Sequence, residues 1–246
     1  MHRFIVTSAT YRQSSSVSPA AREADLDNTY LSRGPSYRLS AEQVRDNALA
    51  ASGLLTQRLG GPSVLPYQPS GIWEALATRN AVVYNQNHGD SLYRRSLYTI
   101  WKRSSPPPMM LNFDAAERHV CTVKRQKTAT PLQALVTLND PQFIEAARVM
   151  AQRIMNLPSG PSRNRDIVDT FFRRVISRPA RSQEVALMQQ LYNEELADFI
   201  KHPRRAQELI TVGEYPVDKQ TNPAELAAWT VVASTIMNFD EAIVKR

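Results

Sequence analysis

The stretch TPLQALVTLNDPQFIEAARVMAQRIM (residues 130–155) predicts two helices in direct succession. Thr130 precedes Pro131, and Asp140 precedes Pro141, so each helix has a capping residue followed by a proline in its first turn. The first helix carries Leu132, Leu135, Val136 and Leu138, and the second repeats apolar residues at helical spacing until Pro158 to Pro161 break it. A chain that begins its second helix where the first ends forms a helical hairpin with almost no loop.

Five further segments on either side predict helices or parts of helices. Ser40 and Gln43 form a capping-box pattern before an apolar stripe that Gly60-Gly61-Pro62 ends. The others are a segment around Ile167 to Ile176, a helix over 183–200, and a last helix capped by Asn222 with Pro223 at its first position, while Met1 to Tyr11 resembles the last turns of a helix whose start is missing. The fold class is therefore all-α, an irregular multi-helix bundle with a long loop region containing Pro, Gly and Asn.

The middle of the chain lacks this regularity. Residues 62–90 predict a long irregular loop, in which Tyr67, Trp73 and Tyr84 serve as aromatic anchors. Tyr93 to Lys102 favours a helix over a strand, and Pro106 to Pro108 predict an extended turn. We expect one domain over 1–246, made of N-terminal helices (1–61), a loop-rich basic middle (62–129) and a C-terminal helical bundle (130–246).

Composition excludes several classes of protein. The chain has 246 residues, of which 42% are hydrophobic, and a single cysteine. It therefore has no internal disulfide, no Cys-x-x-Cys-His haem attachment motif and no apolar run long enough for a transmembrane segment. Glycine-rich phosphate loops and a Gly-x-Ser-x-Gly nucleophile elbow are also missing from the sequence, and the short apolar run after Met1 is not a signal peptide.

Positive charge is concentrated in one part of the chain. The net charge is +7, and eight basic residues lie between positions 94 and 127 with only Asp114 and Glu117 opposing them. The candidate ligand-binding residues are Arg94, Arg95, Lys102, Arg103, Arg118, Lys124, Arg125 and Lys127. Such an excess attracts anions or an acidic partner, although it also fits a solvated face or arginines that bond carbonyl groups inside the fold. The excess is small for a dedicated nucleic-acid binder, so nucleic acid is not the expected partner.

Metal-ligating and catalytic patterns are incomplete. His119 with Cys121, and His88 with Asp90, each supply half of a metal site, so no metal is predicted unless these pairs converge. No catalytic residue is assigned. A deep pocket lined by His88, Asp90, Asp114 and His119 would favour an enzyme, whereas a flat surface would favour an interaction domain.

Several blocks resemble the C-terminal domain of unknown function of planctomycete-type, cytochrome c-bearing multidomain secreted proteins. They are MHRFIVTSATYRQSS (residues 1–15), RLSAEQVRD (38–46) with 52–54, RRSLYTIWKR (94–103), FDAAERHVC (113–121), TPLQAL (130–135) with LND (138–140), and AAW (227–229) to NFDE (238–241). The resemblance implies a C-terminal portion of a longer extracytoplasmic, periplasmic protein. It places haem in the missing N-terminal part and no cofactor in this chain, and it carries no catalytic residues.

Together these observations predict a helical interaction or scaffold domain. It would bind other domains of the parent protein, or an acidic protein or polysaccharide, through the basic middle of the chain. The alternative is part of an enzyme that acts on anionic, sulfated or acidic polysaccharide.

Overall fold

The computed structural model describes residues 1–75, 83–156 and 162–245, and in them the protein is mostly α-helical, as the sequence predicts. Two short strands are present, β1 (Tyr37–Arg38) and β2 (Val244–Lys245). The helices are α1 (His2–Thr7), α2 (Pro19–Ala24), α3 (Ala41–Ser52), α4 (Ile72–Ala75), α5 (Pro108–Asn112), α6 (Pro131–Asn139), α7 (Pro141–Met155), α8 (Arg163–Val175), α9 (Ser182–Lys201), α10 (Pro203–Ile210), α11 (Pro223–Met237) and α12 (Asp240–Ile243). None of the described helices is both long enough and apolar enough to span a bilayer.

The chain divides into two compact units, and the smaller comprises Met1–Leu39 and Asp240–Arg246. In it β1 pairs with β2 in antiparallel register, Tyr37 opposite Lys245. Asp25 organises a turn, because its carboxylate accepts the backbone N–H groups of Thr29 (2.7 Å) and Tyr30 (3.1 Å). The helix predicted over Met1 to Tyr11 ends at Thr7. The expected division into three segments of one domain stays a prediction.

The larger unit, Ser40–Phe239, has α7 and α11 at its centre. α11 packs against α7, α9 and α10, and α3 packs on the other side of α7. Trp229 of α11 is fully buried and stacks on Tyr192 of α9 with ring centroids 4.0 Å apart. α11 has no charged residue after its first turn and is buried along most of its length. This burial is expected for a helix that is apolar all round.

Local capping signals in the sequence are confirmed. Ser40 and Gln43 form the reciprocal capping box, the Asp140 carboxylate accepts the Gln142 N–H (2.9 Å), and the Asn222 side chain accepts the Ala224 N–H (2.9 Å). Thr130 stands at the N-cap of α6 but makes no side-chain capping bond. The helix break predicted at Pro158 to Pro161 lies outside the described residues.

Three expectations for regular structure are wrong. α3 ends at Ser52 rather than at Gly60, because Gly53 adopts the left-handed conformation (φ 76°) that ends a helix. Tyr93 to Lys102 contains a short 3₁₀ helix at Ser96–Tyr98 instead of an α-helix. The leucines of α6 predict an apolar stripe that faces the bundle core, yet the buried residues of α6 are Gln133 and Thr137.

The loop region after α3 is held by aromatic and amide contacts. The buried ring of Trp73 meets Tyr84 edge-on with centroids 5.0 Å apart, and the Asn87 side chain accepts the Leu65 N–H (2.6 Å). Tyr67 contributes as well, because its hydroxyl accepts the Glu214 N–H (2.9 Å). The aromatic anchors predicted for this loop are therefore confirmed in its described part.

Candidate binding surface

Residues 117–132 are exposed without interruption. This exposed segment follows two buried residues, Phe113 and Ala115. Asp114 lies between them in a left-handed conformation (φ 58°). The Asp114 carboxylate then accepts both the N–H (2.7 Å) and the hydroxyl (2.9 Å) of Thr128. The bonds between Asp114 and Thr128 close the base of a loop, and the residues of this loop from 117 onward are exposed.

Cations and an aromatic ring meet at the start of this segment. The Arg118 guanidinium lies 4.5 Å from the centroid of the Trp101 ring, and the indole N–H donates to the Glu117 carbonyl (3.1 Å). Arg103 donates from Nη2 to His119 Nδ1 (3.3 Å). This contact places the Arg103 guanidinium beside the residue that follows Arg118 in the chain. We call Trp101, Arg103, Arg118 and His119 the Trp101 cluster.

Arg94 does not belong to this surface. It is buried, and its guanidinium donates to the carbonyl oxygens of Pro62 (2.9 Å), Arg58 (3.2 Å) and Gly60 (2.5 Å) while stacking 3.8 Å over the Tyr98 ring. The expectation that Arg94 lies on the outside is therefore corrected. Arg94 therefore holds the loop after α3 in place. This is the alternative that the sequence allowed, an arginine that bonds carbonyl groups inside the fold.

The other candidate cations differ in how far they are neutralised. Arg95 pairs with Asp46 (3.7 Å) and Arg125 pairs with Glu42 (2.8 Å). Lys102 lies 4.4 Å from the centroid of the Trp73 ring, and Lys127 is exposed. Within residues 1–75, 83–156 and 162–245, the side chains of Arg103, Arg118 and Lys124 form no ion pair. The positive charges of these three side chains are therefore not neutralised by a neighbouring carboxylate.

The candidate metal ligands have separate partners. His88 Nδ1 lies 2.6 Å from Glu214 Oε1, whereas His119 contacts Arg103, and Cys121 is an exposed free thiol. In the described part of the chain no three His, Cys, Asp or Glu side chains come together as metal ligands would. A polar pocket of about 510 Å³ bounded by Asn156, Arg163 and Glu225 contains none of the candidate residues His88, Asp90, Asp114 and His119.

A buried polar cluster on α7 escaped sequence analysis. Glu145 and Arg148 are both fully buried, with 3.8 Å between Oε1 and Nη2. Glu145 Oε1 accepts the Tyr93 hydroxyl (2.9 Å) and the Tyr215 N–H (2.7 Å), and Arg148 donates to the Tyr215 carbonyl (2.6 Å). The available signal was a pair of opposite charges three residues apart, Glu145 and Arg148, among the apolar residues of α7. We call Tyr93, Glu145, Arg148 and Tyr215 the Glu145 cluster.

Glycine is required where the chain passes this cluster. Gly213 has φ 87°, and a Cβ at this position would lie 2.3 Å from the Glu145 carboxylate. The carboxylate is buried and bonded, so it has little room to move aside. The cluster thus fixes the course of the chain from Gly213 to Tyr215 against α7.

Burial, and next the nearby Glu145 charge, raise the pKa of Tyr93 above its usual value. The Tyr93 hydroxyl therefore stabilises the folded protein fully below about pH 10. This stabilisation is lost as the pH rises further, because Tyr93 releases its proton at a lower pH in the unfolded chain than in the folded protein. We expect Tyr93→Phe to lower the free energy of unfolding by about 1–2 kcal/mol at pH 8, since it removes one buried hydrogen bond. At pH 11 this difference should be close to zero.

Urea unfolding of both proteins at the two pH values measures this change. Tyr11→Phe is the matched control, because Tyr11 is exposed and the same atom is removed. A difference between wild type and Tyr93→Phe that is the same at pH 8 and pH 11 would show that the hydroxyl titrates normally in the folded protein.

The described residues define a mostly helical protein in which Arg103 and Arg118 are exposed beside His119 and Trp101. The chain belongs to the PSD1 family, described as a protein of unknown function (DUF1553), whose model matches residues 1–192. No curated protein and no solved structure matches the chain.

Proposed function

We propose that this protein is a non-catalytic interaction or scaffold domain that binds an acidic partner through the Trp101 cluster and the exposed segment 117–132. The observation that carries the proposal is the combination of complete exposure and unneutralised cations in one segment. Arg118 and Lys124 lie in that segment, and Arg103 contacts it through His119. Charged side chains that serve only to solubilise a protein are usually interspersed with opposite charges.

The geometry of the cluster supports anion binding. The Trp101 ring restrains the Arg118 guanidinium, which lowers the conformational entropy that Arg118 loses when it pairs with a carboxylate or sulfate. Arg103 lies beside His119, the residue that follows Arg118 in the chain. Arginine binds planar acidic groups through two parallel hydrogen bonds, which suits carboxylates.

The family resemblance supports a more specific partner. On it we base the proposal that the chain acts as a C-terminal portion of a longer, planctomycete-type extracytoplasmic protein, with haem held by another part. The acidic partner would then be a neighbouring domain of that protein, or an extracytoplasmic acidic protein or polysaccharide.

A binding experiment with poly-L-glutamate tests this proposal. We expect the triple variant R103S/R118S/K124S to bind fluorescein-labelled poly-L-glutamate about tenfold more weakly at low salt, since three exposed charges each contribute about 0.5 kcal/mol. Fluorescence anisotropy measures the affinity. Because the three side chains are exposed, the thermal unfolding midpoint should not change.

The control variant R174S/K201S/R204S removes the same net charge from exposed positions on α8, α9 and α10. It should bind within about twofold of the wild type, because these positions lie outside the surface. Equal losses in the two variants would mean that binding follows net charge alone. Unchanged binding by R103S/R118S/K124S would contradict the proposal directly.

A further inference from the structure

The α6 helix has its apolar residues on the outside. Leu132, Leu135 and Leu138 are 51%, 55% and 40% exposed, whereas Gln133 and Thr137 are 1% and 2% exposed. At 3.6 residues per turn the three leucines span about 120° of the helix circumference, opposite the two buried polar residues. We call Leu132, Leu135 and Leu138 the α6 leucine face.

Hydrogen bonds fix this orientation. The Gln133 side chain donates to the Asn112 carbonyl (2.8 Å), and the Thr137 hydroxyl lies 2.7 Å from Asn238 Oδ1 at the end of α11. Asp140 then starts α7 immediately after α6. A rotation that buried the leucines would break these bonds, so the leucine face is built into the fold.

Other exposed apolar residues accompany the leucine face. Leu111 of α5, a helix that packs against α6, is exposed, as are Val120 and Val123 in the segment that leads into α6. Exposed apolar residues that share one face mark interaction sites, and Leu132, Leu135 and Leu138 share one face of α6.

Charge indicates the nature of the partner. α6 has no charged side chain, and Lys124, Arg125 and Lys127 lie in the seven residues before it. Arg125 is paired with Glu42, whereas Lys124 forms no ion pair within the described residues, so Lys124 and the N-terminal end of the helix supply positive charge here. A partner that covers the leucine face therefore needs an apolar side and acidic residues near the N-terminus of α6. A second copy would bring its own positive end and net charge of +7 into the contact.

We infer that the α6 leucine face and the basic segment before α6 (residues 124–130) form a docking surface for an acidic amphipathic helix of a partner protein. Leucines at i, i+3 and i+6 form a ridge, against which a helix packs with apolar residues at similar spacing. This inference rests on the proposed function and specifies the partner that the function requires.

Synthetic peptides test the inference. The probe is an 18-residue helical peptide with leucine every third or fourth residue and glutamate on the other faces. Its control is a peptide of the same composition whose leucines are scattered. We expect the first peptide to bind the wild type, and L135S/L138S to weaken that binding about tenfold or more. Poly-L-glutamate binding should be unchanged in L135S/L138S.

The matched variant L187S/I200S removes two exposed apolar side chains from α9 and should bind the peptide within about twofold of the wild type. Both variants alter exposed side chains, so equal thermal midpoints confirm that each is folded. Equal binding of the two peptides, no binding of the leucine peptide, or an unchanged affinity in L135S/L138S would overturn the inference.

Two further results would assign the leucine face to another partner and overturn the inference. They are a concentration-dependent dimer that L135S/L138S abolishes, and binding to anionic phosphatidylglycerol vesicles that the same variant abolishes. The proposed function fails separately, through unchanged poly-L-glutamate binding by R103S/R118S/K124S.

Discussion

Replacing Arg45 with methionine is expected to lower the free energy of unfolding by about 3–5 kcal/mol, the usual loss when a bonded, buried charge is removed. Arg45 lies on α3 and is buried, and its guanidinium donates to Gln142 Oε1 and to the carbonyl oxygens of Leu92 and Arg94, each at 2.7 Å. Methionine fills a similar volume but leaves these acceptors without a donor. Urea denaturation followed by circular dichroism measures the difference.

The charge of Arg45 persists at neutral pH. Burial lowers its pKa to about 10, an effect that the Asp46 charge opposes, and about 10 is still well above 7. Arg45→Lys keeps the charge, but all its N–H donors lie on one nitrogen atom and cannot reach the same three acceptors. We therefore expect it to recover less than half of the free energy of unfolding that Arg45→Met loses. Arg95→Met is the matched control, because Arg95 is exposed and pairs with Asp46 at 3.7 Å; it should cost less than about 1 kcal/mol. A loss below about 1 kcal/mol in Arg45→Met would contradict the structural role of Arg45.

Glu145→Ala is expected to destabilise the protein by about 3–5 kcal/mol as well, because it leaves Arg148 as a buried cation without its carboxylate. The Tyr93 hydroxyl and the Tyr215 N–H also lose their acceptor. The chain after Gly213 should then lose its contact with α7. We expect faster amide exchange over 213–218, measured by mass spectrometry in native buffer, together with the lower midpoint in urea.

Glu145→Gln separates charge from hydrogen bonding. Its amide oxygen can accept the same two bonds, so we expect it to recover part of the loss through them while Arg148 stays unpaired. Glu194→Ala on the exposed side of α9 is the matched control and should change stability by no more than about 0.5 kcal/mol. Equal stability of Glu145→Ala and Glu194→Ala would show that the Glu145 cluster contributes nothing to the fold.

Helix starts could be predicted because the signals are local. A side chain at Ser40, Asp140 or Asn222 bonds to backbone N–H groups two or three residues away, so the sequence contains both partners. The apolar periodicity of α7 and α9 is also a local signal, because residues three and four positions apart lie on the same helix face. The all-α class follows from these signals alone.

The errors arise where distant residues decide the structure. A helix over Tyr93 to Lys102 is prevented because Arg45, about 50 positions earlier, takes the carbonyl groups of Leu92 and Arg94. α6 turns its leucines outward because Thr137 bonds to Asn238, 101 positions later. Helix α10 was not predicted, and we have no local signal for it beyond Pro203 after His202.

The candidate surface could be predicted in part. Charge counting found the basic stretch, but it could not separate Arg94, which bonds carbonyl groups inside the protein, from Arg118, which lies over Trp101 on the outside. The sequence does not show which guanidinium is buried, because the carbonyl groups that Arg94 bonds lie more than 30 positions earlier in the chain. The α6 leucine face was missed for the same reason, because periodicity identifies a face without saying what covers it.

Hydrogen–deuterium exchange of the wild-type protein, with and without saturating poly-L-glutamate, locates the residues that bind the acidic ligand. The proposed binding surface predicts slower exchange in residues 101–128, where the Trp101 cluster and the exposed segment lie, and unchanged exchange in α8 and α9. Slower exchange confined to α8 and α9, or no change anywhere at saturation, would contradict it.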